Sequence, residues 1–73
     1  MKNEEILKHP RFRRAIMSGE YYRSVSVFLR LQYPHIEDQT KIPTEAVGIA
    51  KTFVDEAMFK KLTERAEMER EMI

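Results

Sequence analysis

The sequence predicts an all-α fold: a small bundle of three to four helices in one domain spanning residues 1–73. Three observations carry that prediction. Residues 44–58 place apolar side chains at three- and four-residue steps, the period of one helical face. Residues 20–32 are apolar around most of a helical circumference, as expected of a helix enclosed by others. Proline and glycine at Pro10, Gly19, Pro34 and Pro43 divide the chain into segments of helical length.

In chain order, Asn3 is expected to cap a short first helix, with Glu4 and Glu5 stabilised at its positive end. His9-Pro10 ends it, because the residue before proline avoids the helical region. Pro10 then opens a second helix, where its missing N–H costs nothing. Phe12, Ala15 and Ile16 line one side of this helix, and Arg11, Arg13 and Arg14 occupy the rest. Ser18-Gly19 after Met17 makes a natural stop and a sharp turn.

The next stretch, EYYRSVSVFLRLQYP over residues 20–34, admits two readings. Val25, Val27, Leu29, Leu31 and Tyr33 alternate with polar residues at the period of a strand. However, Phe28 breaks the alternation and no second strand offers itself as a partner, so residues 24–33 would have to pair with a second copy. At about 100° per residue the segment makes better sense. Arg23, Ser26 and Arg30 then form a narrow polar wedge, while Tyr21, Tyr22, Val25, Val27, Phe28, Leu29 and Leu31 cover the remainder. Residues 20–32 are therefore assigned as a buried central helix.

Residues 34–43 form a loop whose Ile36 and Ile42 are expected to fold back onto the core. Thr44 is the expected cap of a long C-terminal helix over residues 44–65, with the stripe Ala46, Val47, Ala50, Phe53, Val54, Ala57 and Met58. Gly48 inside it suggests close approach by a neighbouring element. Opposite charges four residues apart, Lys51 with Asp55, Glu56 with Lys60 and Arg65 with Glu69, decorate its outer face. The charged tail over residues 66–73 is expected to fray or to project as an arm.

Composition removes several function classes. There are no cysteines, so disulfides and thiolate metal sites are excluded, and His9 and His35 lack a second ligand at helical spacing. No metal and no cofactor is expected. No uncharged stretch exceeds six residues, against the ~20 needed to cross a bilayer, so a soluble, cytoplasmic chain without membrane contact is expected. The two glycines form no phosphate-cradling loop, and no serine has a base placed to activate it. Glu37 and Asp38 are better read as solvated loop residues than as a cation site. An enzyme is not expected.

Two binding surfaces remain. The first is an apolar edge on the C-terminal helix, Met58, Phe59, Leu62 and Ala66, suited to another protein or to a second copy of the chain. The second follows from charge distribution. Net charge is only +1, but residues 1–33 hold seven Lys/Arg against three Asp/Glu, and residues 34–73 hold six against nine. Arg11, Arg13, Arg14, Arg23 and Arg30, with Tyr21 and Tyr22 near them, have the composition of a nucleic-acid contact surface. The short helix, glycine turn and longer helix also trace a helix-turn-helix outline, in which Arg14, Ser18 and Glu20 stand where apolar packing residues are wanted. The sequence favours a non-catalytic protein-interaction module using the C-terminal helix, with nucleic-acid binding by the arginines as the alternative.

Overall fold

The computed structural model describes residues 1–71, with side-chain placement through Lys61. The described residues form four α-helices: α1 (Asn3–Lys8), α2 (Pro10–Met17), α3 (Tyr21–Gln32) and α4 (Thr44–Glu71). One 3-10 turn, Gln39–Lys41, interrupts the loop before α4. No strand occurs among them: residues 24–32 are helical and Tyr33 follows as the end of that helix, so the strand alternative is set aside.

The punctuation acts as local chemistry requires. Pro10 is the first residue of α2, and His9 caps that helix by accepting the Arg11 N–H at Nδ1, 3.1 Å away. Gly19 adopts φ 75°, a conformation that a side chain disfavours, and lets α3 double back beside α2. At α1 the outcome differs from expectation. Lys2 occupies the capping position, and Asn3 lies inside the helix, where its Oδ1 accepts from Gln32 Nε2 at 3.1 Å. That bond ties α1 to the end of α3. Similarly, α4 begins at the expected cap rather than after it: Thr44 is already helical, and the Pro43 carbonyl before it accepts from Ala46 and Val47 N–H. At its other end α4 continues through Glu71 rather than stopping near residue 65, over a run rich in strong helix formers.

The core forms where α3 meets α2 and α4. Phe28 is fully buried and touches both partners. Its ring meets Phe12 of α2 edge-on at 5.6 Å and stacks against Phe53 of α4 at 5.4 Å. Ile6, Ile16, Val25 and Leu29 complete the cluster from one side, and Ala46, Ala50 and Val54 from α4. Ile42 is buried and Ile36 packs against the same cluster, so the loop isoleucines fold back as anticipated. Ser24 is also fully buried on this face, its hydroxyl donating to the Glu20 carbonyl at 2.7 Å, so its small polar group is satisfied within its own helix.

Two expectations fail here for packing reasons. Tyr22 is 81% exposed, not part of the buried circumference of α3. Gly48 faces open space: a Cβ built on it would meet nothing within 4 Å. Close helix approach therefore does not explain this glycine.

Two stability measurements follow. Phe28→Ala removes a ring shared by three helices and is expected to cost about 3–5 kcal/mol, whereas exposed Arg30→Ala should change urea-unfolding stability by less than about 0.5 kcal/mol. Comparable losses from both would contradict the burial pattern. Gly48→Ala places a methyl in free space within a helix and is expected to stabilise by about 0.5–1 kcal/mol, read as a rise in thermal midpoint.

Candidate functional site

Helical phase separates the five arginines. Arg11 and Arg14 lie about 60° apart around α2, while Arg13 lies about 200° from Arg11 and points elsewhere. On α3, Arg23 and Arg30 are two turns apart on one face. The result is a cleft of about 490 Å³ between α2 and α3, lined by Arg11, Arg14, Arg23 and Arg30. Ala15 and Val27 supply its apolar surface, and Ser18 and Ser26 its hydroxyls. Arg13 instead lines a second groove, about 340 Å³, between α2 and α4. The basic group expected from sequence thus resolves into four convergent arginines and one outlier.

The cleft is poor in negative charge. Among the described residues the one ion pair is Arg23 with Glu20 at 3.3 Å, both well exposed, and such pairs contribute little. Among the same residues no carboxylate lies within 4.0 Å of Arg11, Arg14 or Arg30. The hydroxyls are already committed as donors. Ser18 Oγ donates to the Ala15 carbonyl at 2.8 Å, and Ser26 Oγ donates to Gln39 Oε1 at 2.9 Å. Gln39 Nε2 returns a bond to the Ser26 carbonyl at 3.2 Å, clamping the loop onto α3. What remains available in the cleft is guanidinium.

Outside the cleft lining, at the start of α3, Tyr21 and Tyr22 pack edge-on, with ring centroids 5.4 Å apart. Tyr21 is half-buried. Desolvation and then the neighbouring Asp55 carboxylate raise its hydroxyl pKa, so it stays protonated at neutral pH. The expected Lys51–Asp55 and Glu56–Lys60 bridges do not close within 4.0 Å.

The α4 edge is less complete. Met58 packs against the core rather than standing on the surface, and Phe59 is 71% exposed beside a shallow apolar trough with Asp55, Glu56 and Lys60. The side chains of Leu62 and Ala66 lie outside the described residues. Farther along, Lys61 spans back to α2, its Nζ donating to the carbonyls of Ile16 at 3.1 Å and Met17 at 2.6 Å. A cation there satisfies the negative end of α2. Neither this contact nor the Ser26–Gln39 clamp has a sequence signal, because each joins residues far apart in the chain.

Among the described residues, no group of three or more His, Cys, Asp or Glu side chains is placed to hold a metal, and no helix is long and apolar enough to cross a membrane. Asp38 has a structural role. Its Oδ1 accepts from the Thr40 hydroxyl at 2.7 Å and the Thr40 N–H at 3.0 Å, capping the 3-10 turn.

Those two bonds, the hydroxyl first, hold the Asp38 pKa below its ordinary value of 3.8. Because the ionised form is the bonded one, the contribution is complete above 3.8 and is lost as pH falls through the lowered native value. A thermal-midpoint difference between wild type and Asp38→Ala at neutral pH should therefore vanish in acid below that point, and a difference that persists there would rule out this cap. Compared with protein-family models, with curated proteins and with solved structures, the chain matches none of them.

Proposed function

We propose that the chain is a non-catalytic nucleic-acid-binding module that holds backbone phosphates in the α2–α3 cleft through Arg11, Arg14, Arg23 and Arg30. The observation that carries the reading is that four guanidiniums from two helices line one concave surface whose lining includes no carboxylate, Arg23 alone among them being paired within the described residues, with Glu20. Guanidinium offers a rigid planar fork of donors matched to phosphate oxygens. Arg23 and Arg30 are separated by about 10 Å of helical rise, a span that several successive phosphates of one strand can occupy. A polyanion engages all four cations together, which an isolated acidic side chain does not. The non-catalytic part rests on chemistry: both cleft hydroxyls donate to internal carbonyls, and His9 Nδ1 is occupied by the Arg11 N–H.

A second reading is favoured by the exposure of Phe59 beside its apolar trough: contact through α4 with another protein or a second copy of the chain. Salt separates the two. Apolar association holds or strengthens with salt, whereas phosphate binding weakens steeply.

The test is fluorescence anisotropy with labelled oligonucleotides across a salt series. Engagement of four phosphates predicts a log–log slope of about −3 to −4, and an affinity loss of about 50- to 150-fold on raising salt fourfold. Arg11→Ala, Arg14→Ala or Arg30→Ala should each reduce the slope by about 0.7–0.9, while Arg13→Ala leaves it unchanged. Absence of binding in low salt, or equal effects from Arg13→Ala and Arg30→Ala, would sink the proposal. Light scattering on Phe59→Ser addresses the second reading, which requires an associated wild type and a monomeric variant.

A further inference from the structure

Resting on the phosphate-binding reading, we infer that the cleft is built for a single strand rather than a duplex, with Tyr22, one helical turn before the cleft residue Ser26, as the platform on which one base stacks.

The shape of the basic surface comes first. A helix that reads duplex DNA enters the major groove, roughly 12 Å wide, as a protruding ridge with its donors outermost. Here the face of α3 that carries Arg23, Ser26 and Arg30 borders a recess, with Arg11 and Arg14 of α2 on the other wall. The opposite face of α3, Val25, Phe28 and Leu29, is buried. A rigid double helix presents a convex backbone to such a recess and reaches its edges. A single strand is flexible and places its phosphates inside, between the two arginine walls.

The aromatic residue comes second. Tyr22 is the most exposed of the large apolar side chains among the described residues, at 81%. It precedes Ser26, a cleft residue, by one helical turn, so the two are neighbours on the surface of α3. Its ring is held nearly perpendicular to that of Tyr21, at an interplanar angle of 81°. Tyr21 in turn packs against the core. The platform is therefore oriented before any ligand arrives, so ordering it on binding costs little. Arginines that track a backbone beside an aromatic face on which bases stack form the pairing that sequence-tolerant single-strand binders use. In a duplex the bases are stacked on each other and the Tyr22 face has nothing to receive.

The experiment compares a labelled oligothymidine with a duplex of equal length in low salt, using wild type, Tyr22→Ala and Tyr22→Phe. The single strand is expected to bind more tightly than the duplex. Tyr22→Ala should weaken single-strand binding by about 5- to 150-fold and leave duplex binding and the salt slope unchanged, while Tyr22→Phe retains wild-type affinity. Because the side chain is exposed, all three proteins should melt at the same temperature. Duplex binding equal to or tighter than single-strand binding, or an unaffected Tyr22→Ala, overturns the inference while leaving the phosphate-binding reading intact. Failure of both nucleic acids to bind removes both.

Discussion

The fold depends on the burial of one side chain. Phe28 sits at zero exposure between an edge-on Phe12 and a stacked Phe53, so a single ring joins α2, α3 and α4. Its consequences reach the surface through helical geometry. With Phe28 pointing inward, Arg23, Ser26 and Arg30 fall within about 40° of the diametrically opposite direction. The cleft is thus the far side of the core: whatever turns Phe28 out of its slot also turns the arginines away from those of α2. In a chain of 73 residues there is little other apolar surface to compensate.

Two polar ties hold the remaining degrees of freedom near the cleft. An eight-residue helix leaves its last carbonyls without partners inside the helix, and α2 answers in two ways. The Gly19 N–H donates to the Ile16 carbonyl at 3.0 Å, and the Lys61 ammonium reaches Ile16 and Met17 from α4. The turn that sets the angle between the cleft walls is therefore braced by the longest helix. On the other wall, the reciprocal Ser26–Gln39 bonds fasten the loop to α3. These contacts explain how short helices with modest propensity present their arginines in one arrangement, since tertiary packing rather than intrinsic preference stabilises helices of this length.

What could be read from the sequence was what is local. Pro10, Gly19 and Pro34 act on their own backbone dihedrals, and the Ala46–Met58 stripe repeats with the helical period, so the elements and the core face of α4 follow directly. What escaped depends on how many elements surround a given face. Tyr22 counted as buried because hydropathy and phase place it beside apolar neighbours, yet four helices cannot enclose every side of α3, and the uncovered side is where Tyr22 stands. Gly48 suggested a close neighbour where the structure has none. The arginines read as one group because composition ignores phase, and a 200° step sends Arg13 to the other groove. Of the apolar edge first favoured for partner binding, Met58 joined the core instead, since it continues the stripe by one turn from Val54.

The chemistry left in the cleft also limits what it can discriminate. Ser18 and Ser26 spend their protons on internal acceptors, and no amide or carboxylate side chain lines the walls to pair with a base edge. A ligand entering the cleft would therefore meet four guanidiniums and, on the reading proposed above, the nearby π face of Tyr22. Phosphates answer the first and any base answers the second, because every base has a face to stack. Such a surface separates polyanions from neutral chains, and unstacked bases from stacked ones, but it has little with which to tell one base from another. If the cleft binds nucleic acid as proposed, recognition by α2 and α3 should be general in sequence and selective in form, because the cleft hydroxyls that could read a base already donate inside the protein.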